Sequence, residues 1–209
     1  MQTSKYLGGL RRFNIVMGFF HAIQGIAVLA LATSFALPVT ATFLEGPPSP
    51  DAELEITKLF DISIGWGVAT FLFMSAIAHW IISLPRVYQW YERNLGRDRN
   101  YARWIEYSAS SSVMVVLIAM LTGISDVTAL LAIFGVNATM ILFGLLVEHY
   151  ETPGRTNWLS YWFGVFAGAI PWIAIGIYLW SPTTSASPPA FVYGIFFSLF
   201  IFFNSFACL

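Results

Sequence analysis

The chain has 209 residues, of which 57 % are hydrophobic and 10 % charged, and its mean hydropathy is +0.71. An ordinary soluble domain carries about a quarter charged residues, so this composition argues against a soluble fold and predicts a membrane protein. The net charge of −1 argues against a nucleic-acid partner, which needs a clustered basic face, and the single cysteine, Cys208, leaves no internal disulfide and no cysteine-based metal site.

A helix needs about 20 mainly apolar residues to span the hydrocarbon core. Such runs fall at 13–36, 59–83, 104–122, 127–147, 158–180 and 190–209. The expected architecture is therefore one transmembrane domain over 1–209, all-α, with six spans running up and down, because short connections place successive helices side by side and antiparallel. The first run is too long for the apolar region of a signal peptide and no small-residue cleavage site follows it, so it reads as a retained span. After it, Leu37 to Thr57 carries Pro38, Pro47, Pro48 and Pro50 with Glu45, Asp51, Glu53 and Glu55, a composition that breaks helices and favours turns. That connection is long enough to hold structure of its own, such as a short hairpin. Counting Lys and Arg near the span ends sets the orientation. Lys5, Arg11, Arg12, Arg86, Arg93, Arg97, Arg99, Arg103 and Arg155 fall on one side and Lys58 alone on the other. The N-terminus is thus expected in the cytoplasm and the Leu37–Thr57 loop outside. The last run reaches Leu209 without the polar or basic flank that usually closes a span, so the protein is expected to continue beyond it.

Ionisable groups inside spans are functional candidates, since desolvating them costs several kcal/mol. Glu106 is the first, in Trp104-Ile105-Glu106-Tyr107-Ser108-Ala109-Ser110-Ser111-Ser112. Ser110 shares its face one turn on, at i+4, so the two could hold a cation or a proton. The plainer alternative pairs Glu106 with Arg103 at i−3 as an interfacial anchor. His21 lies nine residues beyond Arg12, about 13 Å into the membrane at a rise of about 1.5 Å per residue. His79 stands about one turn from the inner end of the second span, with Ser75 one turn deeper. Each histidine alone is ordinarily a hydrogen-bonded packing residue, but with Glu106 at a related depth, and with Asn14 and Gln24, a shared polar cavity in the cytoplasmic half becomes possible. Span four carries Asn137; span five carries Trp158, Trp162, Trp172 and Trp180 with Pro171. Trp158 and Trp180 read as interfacial aromatics, Trp162 as bundle packing or more, and Pro171 as a kink. Gly164, Gly168 and Gly176 offer close helix contact. The chain has no Gly-rich phosphate loop, no His-Glu-x-x-His, no Gly-x-Ser-x-Gly and no Cys/His cluster, so catalysis has no support in the sequence.

Several segments together carry a family resemblance: Arg12-Phe13-Asn14 through Phe20-His21, Phe35-Ala36-Leu37-Pro38, Gly46-Pro47-Pro48, Arg103 through Ser108 and on to Ser112-Val113-Met114, Ala129 to Gly144, Phe191-Val192-Tyr193-Gly194 and Phe202-Phe203-Asn204-Ser205-Phe206. In this order they resemble the heliorhodopsins, retinal-binding photoreceptors with a cytoplasmic N-terminus. The resemblance implies a rhodopsin-like seven-helix bundle, of which six spans are present, with a structured extracellular loop after span one. It implies all-trans retinal as cofactor, Glu106 as carboxylate counterion of its protonated Schiff base, and Ser75 and Ser110 as polar neighbours. It places Asn137, Met140, Trp162 and Phe203 along the retinal channel and His21 and His79 in a cytoplasmic-side polar cavity. It also implies a homodimer in the cell membrane and a downstream signalling partner that the sequence does not identify. The family links retinal to a lysine in the seventh span; the lysines here are Lys5 and Lys58, neither at the depth of Glu106, so the linking lysine is expected beyond Leu209. The expected function is a light sensor, not an enzyme, that signals by photoisomerisation and rearrangement of the Schiff base and its counterion. Glu106 has no second buried carboxylate to complete a transmembrane relay, which disfavours a pump. The alternatives are a light-driven or passive ion carrier or channel, and a scaffold without photochemistry.

Overall fold

The structure is a computed structural model that describes residues 3–49, 53–151, 157–180 and 190–205. In chain order its elements are α1 (Thr3–Leu31), β1 (Ala36–Leu44), β2 (Leu54–Ser63), α2 (Ile64–Ser83), α3 (Pro85–Leu95), α4 (Tyr101–Leu121), α5 (Val127–Tyr150), α6 (Leu159–Leu179) and α7 (Ala190–Ser205). Five of them, α1 from Gly9 onward, α2, α4, α5 and α6, are long and apolar enough to cross a membrane. Large apolar side chains such as Phe13, Phe19 and Ile23 on α1 and Phe166, Ile173 and Ile177 on α6 point outward. Helices satisfy their own backbone groups, so such faces are stable against lipid, and the chain is a multi-pass membrane protein. The sixth predicted span, 190–209, is described as the 16-residue α7, about 24 Å at the helical rise against a core of about 30 Å. Residues 206–209, with Cys208, lie outside the described residues, as does Arg155.

Neighbouring spans pack in sequence, α1 on α2, α2 on α4, α4 on α5 and α5 on α6. Small residues set the spacing at several of these seams. Gly18 faces the Trp80 ring and Gly25 the Phe73 ring, so closely that a β-carbon at either position would collide with the aromatic. Gly164 and Gly168 meet Phe143 and Met140 of α5 as their spacing predicts, whereas Gly176, among the described residues, faces Trp180 at the C-terminal cap of α6. α7 joins through Trp172 of α6, whose ring meets Phe196, Phe200 and Phe203 edge-on, each at 5.6 Å.

Two predicted span boundaries are corrected. The first was expected to run to 36 and the second to begin at 59, but α1 stops at Leu31 and 59–63 belong to β2. β1 and β2 form an antiparallel hairpin, Ala36 opposite Ser63 and Leu44 opposite Leu54, with a bulge between Val39 and Thr40. The fold is therefore not purely helical. Apolar run length cannot separate a membrane helix from a strand, and here the period-two pattern decides: Leu37, Val39 and Ala41 turn to one face, with Val39 and Ala41 buried. Pro38 is tolerated because a two-stranded ribbon has a free edge. The buried face docks on the turn between α4 and α5, where Thr40 N–H donates to the Ser125 carbonyl at 2.8 Å and the Thr40 and Ser125 hydroxyls lie 3.0 Å apart. Below the dock, Val39 meets Val115, Ala119, Met120, Ile124, Leu130, Ile133, Trp172 and Ile175 in the apolar core. Asp126 closes that turn by capping α5, accepting from Thr128 N–H at 2.9 Å and Ala129 N–H at 3.2 Å.

At the opposite end, the residues between α2 and α4 form a helix that the spans alone do not predict. Leu84 is extended at ψ 140°, as a residue before proline tends to be, and Pro85 then opens α3 at a position where its missing donor costs nothing. Asn100 caps α4 by accepting from Arg103 N–H at 3.2 Å.

Candidate functional site

The polar residues singled out in the sequence fall toward the α3 end of the bundle. Ser75 and His79 lie one turn apart on α2, Glu106 and Ser110 one turn apart on α4, and α2 packs on α4. The two faces meet: Ser75 Oγ donates to Glu106 Oε1 at 2.5 Å. Arg103, the other partner considered for Glu106, forms an ion pair with Glu148 of α5 at 3.9 Å and lies over the Trp104 ring at 4.5 Å. Trp104 Nε1 donates to the same carboxylate. Arg103 and Trp104 thus form a clasp between α4 and α5.

His21 of α1 and His79 of α2 stack with ring centres 5.5 Å apart and planes 15° from parallel. His79 Nδ1 is 3.0 Å from Asn14 Oδ1, and His21 Nδ1 is 3.0 Å from Gln24 Oε1. An amide oxygen only accepts, so both rings donate from Nδ1 and, when neutral, keep a lone pair on Nε2. Below them Ser83 Oγ donates to the His79 carbonyl at 2.8 Å, and Arg11 Nε donates to the Ser83 carbonyl at 2.8 Å.

Two cavities adjoin these groups. One, of about 460 Å³, is lined by His21, Phe71, Leu72, Ser75, His79, Glu106, Tyr107, Ser110, Ser111, Met114, Ile141, Phe202 and Phe203. The second, of about 250 Å³, shares Ser75, His79, Glu106 and Tyr107 with it and adds Asn14, Tyr91, Asn100 and Arg103 toward α3. Glu106 thus stands where a mainly apolar chamber meets a polar one. The larger lining holds one carboxylate and neither lysine nor arginine among the described residues. A cavity of this size suits a small organic ligand, and its lone anion suits one carrying a positive charge. Lys58 does not supply that charge, being on β2 in an exposed pair with Asp61 at 2.7 Å. In the polar chamber burial pushes the Tyr91 phenol above its ordinary value, partly offset by Asn100, Asn14 and Arg103 facing it, so Tyr91 is a neutral hydrogen-bonding wall.

Six of the predicted site residues therefore share one cavity: His21, Ser75, His79, Glu106, Ser110 and Phe203. Met140 lies in a neighbouring cavity of about 210 Å³ between α4, α5 and α6, which also touches Phe203. Asn137 is not among the residues lining these cavities. Only 1 % exposed, it donates to Ser111 and Ser112 hydroxyls at 3.0 Å each, while those serines donate to the carbonyls of Tyr107 and Ser108. Trp162 is 62 % exposed, meets Tyr161 edge-on and is not among the residues lining these cavities. Phe71 and Met114 escaped the sequence reading, although each extends a stripe already drawn, one turn from Ser75 and from Ser110. Tyr91 and Asn100 escaped it because α3 did.

A family model described as Heliorhodopsin matches residues 10–209. No curated protein matches the chain.

Proposed function

The chain belongs to the heliorhodopsin family, and we propose that it is a retinal-binding light sensor in the cell membrane, with a cytoplasmic N-terminus and α7 as a sixth span of one transmembrane domain. The observation that carries this reading is Glu106: a lone carboxylate, held by Ser75 at 2.5 Å, in a cavity whose remaining lining is apolar, hydroxyl or imidazole. All-trans retinal, bound as a protonated Schiff base to a lysine that residues 1–209 do not place at the site, would supply a light-driven change of shape and a buried positive charge. Glu106 would pair with that charge, which a low-dielectric site otherwise strongly disfavours. Ser75 would orient the carboxylate, Ser110 would add a second hydroxyl nearby, and Phe71, Leu72, Met114, Ile141, Phe202 and Phe203 would exclude water. His79 and His21 would take up or give back a proton on the polar side, each ring having Nε2 available.

Sensing is favoured over transport because the polar chambers open toward α3 while the hairpin end is filled by Val39, Val115, Ile124 and Ile175. The nine-to-one distribution of Lys and Arg supports the orientation. Apolar side chains exposed on the hairpin, among them Phe43, Ile56 and Phe60, support a homodimer formed through that end. The test is Glu106→Gln in the full-length, retinal-loaded protein. The visible band should shift to the red and fade at a lower alkaline pH than in the wild type, because the negative charge opposite the chromophore is gone. An unchanged band and an unchanged alkaline limit would remove Glu106 from the site. A light-driven pH change across vesicles would replace the sensor with an ion carrier.

A further inference from the structure

α3 leaves the end of a spanning helix without a gap, since only the extended Leu84 separates it from α2. It must therefore lie where hydrocarbon gives way to headgroups. One side is buried through Tyr88 and Tyr91, with the Arg11 guanidinium 5.9 Å from the centre of the Tyr88 ring. The other side presents Arg86, Trp90 and Arg93, all exposed and spaced four and three residues apart, which makes one stripe. Exposed Arg97 follows in the turn beyond the helix. No ion pair among the described residues involves Arg86, Arg93 or Arg97. The acidic groups nearby are Glu92, half-buried on the flank, and Asp98, exposed in the turn, so the stripe keeps a positive excess. Trp90 is held in place by stacking on Tyr101, with ring centres 6.2 Å apart.

We propose that α3 is an interfacial helix whose Arg86, Trp90 and Arg93 face, extended by Arg97, binds the phosphates of anionic phospholipid headgroups in the adjacent leaflet. Charge complementarity selects this occupant. A guanidinium presents a planar fork that matches phosphate oxygens in pairs, tryptophan settles at headgroup depth, and each basic residue near an anionic surface adds about 1 kcal/mol, or roughly fivefold in affinity. A zwitterionic headgroup offers the same phosphate but cancels its charge, so it should bind far less well.

The test uses the full chain in neutral detergent, titrated with short-chain phosphatidylglycerol or phosphatidylcholine while bound lipids are counted by native mass spectrometry. Phosphatidylglycerol should bind at least tenfold more tightly than phosphatidylcholine. Arg86→Gln, Arg93→Gln and Arg97→Gln should each weaken it about fivefold, whereas the three Lys substitutions should keep most of the affinity because they keep the charge. Equal binding of the two lipids by the wild type, or full phosphatidylglycerol affinity in Arg93→Gln and in the triple Gln variant, overturns the proposal; an acidic protein segment would then be the better occupant. The single variants decide the matter if the triple one fails to fold. Neither retinal nor photochemistry enters the readout, so this inference and the sensor reading fail separately.

Discussion

The two ends of this bundle are built from the same helices and obey different rules. Toward the hairpin, α4, α5 and α6 close on an apolar cluster, with Val115, Ala119 and Ile175 showing no exposed surface. Toward α3, the same α4 meets α2 around Glu106, Ser75, His79 and two cavities. Ionisable groups and open volume both cost stability in a membrane interior. A tight end can carry that cost for a loose one, and the division teaches where motion should be sought: in the half that has room for it.

The largest effect expected from breaking this division is at the tight end. Ile175→Ala removes a fully buried side chain from the cluster and should destabilise the protein by about 2–5 kcal/mol, as other buried Ile-to-Ala changes do. Thermal or detergent unfolding would measure it, and the visible band of the retinal-loaded protein should stay where it is. A colour shift as large as that of Glu106→Gln would show that the two ends are not independent.

Next in size is the hydrogen bond at the loose end. Ser75→Ala takes away the donor 2.5 Å from Glu106; hydrogen bonds to charged groups are worth about 1.5–3 kcal/mol. The visible band should therefore move in the direction of Glu106→Gln but less far, with a loss of thermal stability no larger than that bond. Ser110→Ala should move it less than Ser75→Ala, because the recorded bond to the carboxylate comes from α2. The reverse order would mean that Ser110 takes over the carboxylate once the chromophore is bound.

Much of this was legible in the sequence. Five apolar runs became spanning helices, and the i, i+4 rule placed Glu106 with Ser110 and His79 with Ser75 on common faces. Contact between those faces was not legible, because one sequence fixes the stripe on each helix but not the rotation of one helix against another. Two errors have a shared cause: residues 32–36 and 59–63 are apolar enough for lipid, yet the hairpin claims or flanks them because Val39 and Ala41 gain a core to enter. Asn137 and Trp162, both expected along the channel, sit differently in the described structure: Asn137 is turned inward, where it ties α5 to α4, and Trp162 is exposed. Spacing alone does not separate these placements from a cavity lining.

Asn137 offers a finer test of the same boundary, since it sits between the two ends. Asn137→Ala removes two hydrogen bonds to Ser111 and Ser112 but leaves both serines bonded to their own helix. The expected loss is about 0.6–1.7 kcal/mol, from the average to the largest value found for such bonds between membrane helices. Unfolding in detergent would read it. A loss of colour at unchanged stability would place Asn137 at the chromophore site.

The smallest effect should appear only in acid, and only at the hairpin end. The Asp126 carboxyl lies below the usual carboxylate range because the Thr128 hydroxyl and the backbone N–H groups of Ala129 and Thr128 bond to it, with a smaller contribution from the Thr42 N–H of β1 facing it. Its ionised form therefore caps α5 beside the hairpin. A carboxyl whose folded value is depressed contributes stability above its unfolded value, near about 3.9, and loses it as pH falls through the lower folded value, since the unfolded chain takes up the proton first. Between pH 7 and 5 the Asp126 contribution should be flat; below pH 4 it should decline. Asp126→Asn keeps a good cap without the titration, so the difference in melting temperature between wild type and variant should shrink as the pH drops from 5 to 3. Asp126→Ala should melt lower than both at neutral pH and converge with the wild type in acid. A constant difference across that range would show that the Thr128 and Ala129 bonds do not depend on the charge, and that the hairpin is held by the Thr40–Ser125 bonds with Val39 and Ala41.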